Sequence, residues 1–460
     1  MSFVPLTSRS HLAIAALTIV TSASTVAAPK PNVLILVADD MGYADAGFNG
    51  GRVIDTPNLD RLAATGVRLG NFHTAPICSP TRAGLMTGRW PLRFGIMRAV
   101  VPPWSKHGLP PEEKTLAETL AEAGYKRRGL VGKWHLGHAR REFLPLQQGF
   151  TTFKGHYNGA VDYFSHEREG EVDWHEQDET IREEGYTTDL VSEAAAEFIR
   201  ESPAPWFLYV PFNAPHSPFQ AKEEDLAKYS HIKDPKRRAY AAMVDSMDQA
   251  IGRILDAVES RPDAANTLIL FFSDNGGIPA VGSSSGPYRG GKFAVYEGGT
   301  RVCAAIRWPA GGLKGGREFD GRIGYIDVLP TVLAAAGAPI PSNVDGIDVM
   351  PALQGRAKLP ERPWFSYIQQ GGEADASVHL GKWKLVAHGD VFSRKAAPRV
   401  ELYDLDADIG EKQDIADRHP EIVRDLVARL REFGKLEKPG VGDYGEGREG
   451  FQAPKDWVVK

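Results

Sequence analysis

Short runs of apolar and β-branched residues alternate along this chain with stretches in which apolar residues recur every three or four positions. The runs predict buried strands, and the periodic stretches predict helices that pack on them. The predicted core strands are residues 32–38, 125–131, 206–210, 267–272 and 302–307. The predicted helices are residues 58–65, 81–87, 115–123, 188–201, 238–260 and 328–336. This alternation indicates an α/β fold with a large, mostly parallel sheet sandwiched by helices.

The pattern changes after two proline-rich segments, residues 339–341 and 359–363. Short strands at 383–386 and 400–403 then precede a helix at 420–433. We therefore expect a catalytic domain over residues 29–358, followed by a smaller C-terminal α+β domain with an antiparallel sheet over residues 359–460. The tail after residue 436 is rich in Gly, Glu and Lys, which predicts a segment held loosely on the surface.

The N-terminus has the pattern of a secretory signal peptide. Arg9 and His11 precede an apolar run over residues 12–20, and the small residues Val26, Ala27 and Ala28 follow. A charged start, a short apolar centre and a small-residue cleavage site are typical of export signals. We therefore expect residues 1–28 to be removed and the protein to be periplasmic or secreted. The alternative is an uncleaved anchor, although the run is short for a membrane span.

Composition and charge exclude some partners. The chain is 42% hydrophobic and 25% charged, its formal net charge is −5, and its Lys and Arg residues are scattered. Nothing in this distribution favours nucleic acid or an anionic membrane surface as a partner. Any affinity for anions must therefore come from a local pocket.

Polar side chains follow four of the predicted strands, where each strand ends. In chain order they are Asp39 and Asp40, Lys133 and His135, Asn213 and His216, and Asp274 and Asn275. Because ligands of open parallel sheets bind outside the carboxyl ends of the strands, we expect these side chains to meet in one crevice.

Four of these residues offer oxygen ligands only: Asp39, Asp40, Asp274 and Asn275. Hard oxygen donors without His or Cys suit Ca²⁺ or Mg²⁺ rather than zinc. Either dipeptide alone is more often a turn or a helix cap. Two such pairs, each directly after a buried strand, make a metal site the favoured interpretation.

The chain has two cysteines, Cys78 and Cys303, which in an exported protein raise the question of a disulfide. Cys78 begins the sequence CSPTR, in which Pro80 and Thr81 suit the first turn of a helix. A side chain at a helix start lies where backbone amides favour an anion. A disulfide does not account for Pro80 and Arg82 at their spacing, and for Cys303 we expect an inert buried thiol.

The segment CSPTRAGLMTGR resembles the signature of the formylglycine-dependent sulfatases of the alkaline phosphatase superfamily. Further motifs occur in the family's order over nearly the whole mature chain: VADDMGYAD before this segment, and GKWHLG, APHSP, SDNGG and GGKFAVYEGGTR after it. The resemblance implies that a separate maturation enzyme oxidises Cys78 to formylglycine. The hydrate of that aldehyde would attack sulfur and form a covalent sulfate–enzyme intermediate.

The resemblance also implies a metal site and a catalytic set. One Ca²⁺ would be held by Asp39, Asp40, Asp274, Asn275 and the modified Cys78. Arg82 and His135 would position and assist the nucleophile. Lys133 and Lys292 would bind sulfate oxygens, and His216 would lie at the leaving-group oxygen as a general acid.

Three other stretches are most similar to the arylsulfatase B branch: HSPFQA, RRAYAAMVDSMDQAIG and SDNGGIPAVGSSSGPYRGGK. That branch acts on sulfated sugars, notably 4-sulfated galacto-configured residues. The implied substrate is a sulfated carbohydrate or an aryl sulfate ester. Residues 155–169 would then line the sugar pocket, with four candidate contacts: His156, Tyr157, Tyr163 and His166.

Two alternatives remain open at the level of the sequence. A phosphonate monoester or phosphodiester hydrolase of the same superfamily can share the nucleophile motif. A catalytically inactive protein that binds sulfated glycans could retain the fold. Turnover of sulfur and phosphorus esters separates the first alternative from a sulfatase, and glycan binding without sulfate release identifies the second.

Overall fold

The structure is a computed structural model that describes residues 1–5, 29–392 and 398–459. Apart from its first five residues, the expected signal peptide lies outside the described residues. Among the helices of the described part, none combines the length and the apolar character of a membrane span.

The described residues form strands of very different lengths. They are β1 (Asn32–Ala38), β2 (Val67–Leu69), β3 (Phe72–His73), β4 (Arg127–Lys133), β5 (Thr152–His156), β6 (Glu167–Arg168), β7 (Glu171–Val172), β8 (His175–Glu176), β9 (Glu179–Thr180), β10 (Trp206–Pro211), β11 (Thr267–Ser273), β12 (Arg301–Val302), β13 (Ala304–Arg307), β14 (Arg317–Phe319), β15 (Ile323–Gly324), β16 (Trp364–Ile368), β17 (Asp375–Leu380), β18 (Trp383–His388) and β19 (Arg399–Asp404).

The α-helices lie between these strands. They are α1 (Pro57–Thr65), α2 (Cys78–Thr87), α3 (Leu116–Glu122), α4 (Thr187–Glu201), α5 (Glu223–Lys228), α6 (Pro235–Glu259), α7 (Glu297–Thr300), α8 (Val328–Ala335), α9 (Met350–Leu353) and α10 (Pro420–Gly434).

Ten strands form one large mixed sheet in the order β14-β2-β13-β11-β1-β10-β4-β5-β8-β9. Its five central strands, from β11 to β5, are all parallel. The outer strands β13, β8 and β9 run antiparallel to their inner neighbours. The sequence therefore predicted the parallel centre of the sheet correctly.

The predicted core strand at 302–307 is confirmed only over Ala304–Arg307. The chain divides it at Cys303, so that β12 joins β3 in a small sheet and only β13 joins the large sheet, antiparallel to β11. A parallel strand needs a crossover to the opposite edge of the sheet. The segment after β11 instead stays at the carboxyl edge, and the chain enters β13 from that edge.

Two apolar cores flank the large sheet because strand side chains alternate between its faces. In β1, Val33, Ile35 and Val37 pack into the core shared with α2, α3 and α8. Their neighbours Leu34 and Leu36 pack into the core shared with α1, α4 and α6. The central strands are buried on both faces, which accounts for their continuously apolar sequences.

The four predicted strand ends meet at one edge of the sheet. Ala38 at the end of β1 is paired with Ser273 of β11, and Val37 is paired with Pro211 of β10. Strand β4 begins and ends two residues later than predicted, so Lys133 is its last residue. The sheet register therefore brings distant polar residues to adjacent positions.

The C-terminal part contains a four-stranded antiparallel sheet, β16-β17-β18-β19, with α10 packed on it. This agrees with the expected α+β arrangement. The expected loose tail is wrong. Trp457 is buried, the Val441 N–H donates to the Gly95 carbonyl at 2.8 Å, and the Trp104 indole donates to the Tyr444 carbonyl at 2.8 Å. The aromatic residues of the tail anchor it because their rings bury large apolar areas.

Candidate active site

Cys78 is the first residue of α2, and its side chain is buried at the carboxyl edge of the large sheet. Its Sγ lies 3.5 Å from Asp39 Oδ1. Burial raises the pKa of the Cys78 thiol more than Lys133 and Lys292 lower it. An unmodified thiol is therefore protonated here and is a poor nucleophile.

The four oxygen-bearing residues from the ends of β1 and β11 come together beside Cys78. The backbone N–H of Asp40 donates to Asp274 Oδ1 at 3.3 Å, and Asn275 Nδ2 donates to Asp40 Oδ1 at 2.7 Å. Asp40 has a φ of 73°, a left-handed conformation that is uncommon for residues other than glycine. The fold thus holds residues 39 and 40 against residues 274 and 275.

Three cations pair with the three carboxylates. Arg82 donates to Asp274 Oδ2 from Nε at 3.0 Å and from Nη2 at 2.7 Å. The Lys133 ammonium bonds to Asp39, and Lys292 Nζ donates to Asp40 Oδ2 at 2.8 Å. All six side chains are buried. Their formal charges cancel, as buried charges require.

The pKa shifts of the carboxylates follow from these contacts. Burial raises the pKa of Asp40, but Lys292 and His216 outweigh it and hold the pKa at about 2. For Asp274, burial and the Asp39 charge outweigh Arg82 and raise the pKa to about 6. For Lys292, burial lowers the pKa, but the negative charge of Asp40 outweighs burial and raises the pKa on balance.

The donor set fits a hard divalent cation. Asn275 Oδ1 is buried and has no hydrogen-bond partner among the described residues. Potential ligand atoms of Asp39, Asp40, Cys78 and His216 lie within 4.8 Å of one another. Carboxylate and amide oxygens are the ligands that Ca²⁺ and Mg²⁺ prefer. A bound divalent ion would leave the cluster with an excess of two positive charges, which favours an anionic substrate.

The two predicted histidines are held by different backbone carbonyls. His135 Nε2 bonds to the Val101 carbonyl at 3.1 Å, and its buried Nδ1 has no hydrogen-bond partner among the described residues. His216 Nδ1 donates to the Ser217 carbonyl at 2.7 Å, and its Nε2 lies 3.7 Å from Asp40 Oδ2. Burial and then Lys292 lower the pKa of His216 to about 3. Its imidazole is therefore neutral near pH 7 in the ligand-free protein.

A cavity of about 370 Å³ opens over this cluster. Cys78, His135, His216 and Lys292 all line it. The cavity therefore gives a substrate access to the nucleophile position, to one lysine and to both histidines. The predicted metal ligands Asp39, Asp40, Asp274 and Asn275 lie outside its described lining. So do Arg82 and Lys133, although Lys133 was predicted to bind sulfate oxygens.

The predicted sugar contacts lie behind the cavity wall. His156, Tyr157, Tyr163 and His166 are buried, and none of them is among the described lining residues. Tyr157 instead stacks on Phe153 and His175, with ring centroids 5.3 and 4.0 Å apart. The Tyr163 hydroxyl donates to the Asn213 carbonyl at 2.6 Å, which supports the loop of His216.

Segment 155–169 does reach the cavity, but through Gly159, Ala160 and Arg168. A Cβ on Gly159 would lie 2.4 Å from His135 Nε2, so a side chain would not fit at this position. Asp173 anchors the segment from behind by accepting hydrogen bonds from the backbone N–H groups of Tyr157 and Asn158, both at 2.9 Å.

The sequence analysis missed most of the cavity wall. Phe293, Gln370 and Tyr444 line it together with residues 100–103. Gln370 belongs to the C-terminal part and Tyr444 to the tail. Neither carries a local sequence signal, because an isolated Gln or Tyr in a loop matches no catalytic motif. Phe293 directly follows Lys292 in the motif GGKF. Its position next to a predicted site residue was the one indication in the sequence that it lies at the cavity.

A buried cysteine beside three cations and three carboxylates, at the base of an open cavity, favours an enzyme that cleaves esters of oxyanions. Comparison with known proteins identifies its family. A family model described as Sulfatase matches residues 31–338, and one described as N-sulphoglucosamine sulphohydrolase, C-terminal, matches residues 291–435. The chain belongs to the sulfatase family and is a sulfuric ester hydrolase.

Individual relatives agree with this assignment. The chain is 36% identical to N-acetylgalactosamine-6-sulfatase of Homo sapiens over 78% of its own length and 72% of the relative's. It is 32% identical to arylsulfatase A of Homo sapiens, with 88% of each chain covered. A crystal structure of Ps i-CgsB in complex with k-i-k-neocarrahexaose superposes with a TM-score of 0.84 at 31% identity, covering 91% of this chain and 96% of the other.

Proposed function

We propose that this sulfatase removes sulfate from galacto-configured sugars of sulfated carbohydrates, with Ca²⁺ and a formylglycine made from Cys78. The observation that carries the proposal is the position of Cys78, whose Sγ lies 3.5 Å from Asp39 Oδ1 in a cluster of three carboxylates and three cations. The substrate class is supported by the relative named N-acetylgalactosamine-6-sulfatase and by the neighbour bound to a neocarrahexaose.

Each part of the cluster has a task in this proposal. Hydrated formylglycine at position 78 supplies an oxygen nucleophile for sulfur and a second hydroxyl through which the sulfate is later released. Asp39, Asp40, Asp274 and Asn275 hold the metal. Lys133 and Lys292 neutralise sulfate oxygens as the nucleophile approaches.

Arg82 and His135 act on the nucleophile. Arg82 donates hydrogen bonds to Asp274 Oδ2 and, from Nη1 at 3.2 Å, to the Lys133 carbonyl. These bonds fix the position of its guanidinium. His135 has a φ of 57° and a buried Nδ1 that is free for a proton of the nucleophile. Both groups are therefore positioned before substrate binds, which lowers the reorganisation that the reaction requires.

His216 is proposed to protonate the leaving oxygen once a bound anionic substrate has offset the charge of Lys292, because this raises the pKa of the ring and allows Nε2 to carry a proton. Its Nε2 lies 3.7 Å from Asp40 Oδ2, its Nδ1 is bound to the Ser217 carbonyl, and the ring lines the cavity. A sugar alkoxide needs this proton much more than a phenolate does, because it is the stronger base.

His216→Ala is therefore expected to lower kcat/KM about 10²–10⁴-fold for a sugar sulfate and far less for a nitrophenyl sulfate. Initial rates of sulfate release on both substrates measure the difference. His231→Ala is the matched control: His231 is exposed and lies outside the cavity lining, so neither rate should change more than about twofold. Equal losses of His216→Ala on both substrates would exclude the acid role.

The proposed function is tested with purified, matured protein on a defined panel. It contains galacto-configured sugars sulfated at position 4 or at position 6, a nitrophenyl sulfate and a nitrophenyl phosphodiester. We expect sulfate release from at least one sugar, and at least about a tenfold higher kcat/KM for the sulfate than for the phosphodiester with the same leaving group, or about 1.4 kcal/mol of transition-state discrimination. A preference for phosphorus, or glycan binding without sulfate release, would overturn the proposal.

Two further parts of the proposal concern location and maturation. We propose that the protein is exported through residues 1–28 and that a formylglycine-generating enzyme acts on CSPTR. We also keep the division into a catalytic domain, residues 29–358, and a C-terminal domain, residues 359–460, as a proposal. It is supported by the separate four-stranded sheet, although Gln370 and Tyr444 extend to the cavity of the larger domain.

A further inference from the structure

The cavity wall carries a cation that the proposed reaction does not use. Its described lining contains two cationic side chains, Lys292 and Arg168, and no Asp or Glu. Lys292 pairs with Asp40 in the cluster at the cavity floor. Arg168 comes from the β6–β7 hairpin, in a different part of the wall. The cavity therefore presents a second positive charge, separate from the group of residues that would hold the reacting sulfate.

The backbone of Arg168 is held by contacts on both sides of the hairpin. The Glu167 carbonyl accepts a hydrogen bond from Asp162 N at 3.0 Å, and the Trp457 indole donates to the Arg168 carbonyl at 2.9 Å. In the tail, the Asp456 N–H donates to Glu171 Oε2 at 3.0 Å. The tail thus fixes the hairpin, and the position of Arg168 is set before a ligand arrives.

The guanidinium of Arg168 has donors available to a ligand. Its Nη2 lies 3.3 Å from Glu169 Oε1, and the two side chains are 26% and 37% exposed. Such a pair is weak, because water screens it and two long side chains must be ordered. Nε of Arg168 is buried and has no hydrogen-bond partner among the described residues. An oxyanion that accepts hydrogen bonds from the guanidinium would satisfy this donor.

We propose that Arg168 binds a second anionic group of the substrate, a sulfate or a carboxylate on the same sugar or on its neighbour. This inference rests on the proposed function, since it assigns a substrate class to the same cavity. Arginine suits the task because its planar fork matches two oxygens of such a group and stays charged at every physiological pH. The preferred substrates are therefore sugars with at least two anionic groups, of which one is cleaved.

The test compares three oligosaccharides that share one cleavable sulfate: one with no other charge, one with a second sulfate and one with a neighbouring carboxylate. For the wild-type protein we expect kcat/KM to be about tenfold to hundredfold higher with a second sulfate or carboxylate than without it. Arg168→Ala should abolish this preference. Its kcat/KM for nitrophenyl sulfate, and for the oligosaccharide whose cleavable sulfate is its only charge, should stay within about twofold of wild type. Arg168→Lys should retain part of the preference.

Arg140→Ala is the matched control, because Arg140 is exposed, pairs with Glu142 at 2.9 Å and lies outside the cavity lining. It should keep the full preference. Thermal unfolding of each variant shows whether the fold is intact. A wild-type protein that hydrolyses nitrophenyl sulfate without preferring the doubly anionic sugars overturns this proposal alone. An Arg168→Ala variant that loses activity equally on all substrates, or keeps the preference, also overturns it. A wild-type protein that releases no sulfate overturns the proposed function as well.

Discussion

Cys78→Ala is expected to lower the turnover of every sulfate ester at least about a thousandfold, because it removes the group that we propose attacks sulfur. The protein should still fold, because the change deletes one buried atom at a helix start that keeps its backbone hydrogen bonds. Sulfate release on the nitrophenyl substrate measures the loss, and circular dichroism verifies the fold. A variant with more than a tenth of the wild-type activity would contradict the assigned nucleophile.

The other cysteine is a matched control for this experiment. Cys303 is also buried and is also a free thiol, but it packs in the apolar core between the large sheet and α6. Cys303→Ala should therefore keep the activity within about twofold. In wild-type preparations, the fraction of Cys78 converted to formylglycine, measured by peptide mass analysis, should be proportional to kcat. Full activity with unmodified thiol would contradict the proposed maturation.

Asp274→Ala is expected to lower the free energy of unfolding by about 3–5 kcal/mol, because Arg82 would stay buried without its partner. Both side chains are wholly buried, and the next carboxylate, Asp39, lies 3.7 Å from Arg82 Nη2 and is already paired with Lys133. The variant should also lose activity and the thermal stabilisation that added Ca²⁺ gives the wild type. Urea unfolding measures the loss of folding free energy. Thermal unfolding with and without Ca²⁺ measures the loss of stabilisation by calcium.

Two further variants test whether the stability loss of Asp274→Ala comes from the unpaired charge of Arg82 or from any loss of a carboxylate. Asp256→Ala removes the partner of Arg61 at 2.9 Å on the surface, where the Asp256 side chain is 68% exposed, and should cost less than about 1 kcal/mol. Asp274→Ala combined with Arg82→Leu should recover part of the lost stability, because no charge is left unpaired, but no activity. If Asp274→Ala is no more destabilising than Asp256→Ala, the buried pair does not stabilise the site as argued.

Local sequence was sufficient for the central strands and for the first residue of α2. Strand β1 is apolar at every position from Val33 to Ala38, which only a strand buried on both faces requires. Pro80 and Thr81 suit a first helical turn wherever they occur. These predictions hold because each depends on neighbours only a few residues away.

The direction of β13 and the anchoring of the tail depended on the tertiary structure. Apolar strands of either direction have the same sequence pattern, so Ala304–Arg307 carries no sign of its antiparallel pairing with β11. The tail looks mobile by composition, yet Trp457 is buried against the ring of His138, with ring centroids 5.1 Å apart. Composition averages over a segment, whereas one well-packed ring can hold it.

The sequence by itself indicated that the chain is a sulfatase and which groups are proposed to react: CSPTR, the paired acidic residues and the two lysines bounded by glycine. Only the tertiary structure decided what surrounds them. It buried His156, Tyr157, Tyr163 and His166 and instead lined the cavity with Arg168, Phe293, Gln370 and Tyr444. The physical reason is that reactive groups need particular residue types at fixed spacing, whereas a pocket wall is set by which distant segments pack together and which side of each faces the opening.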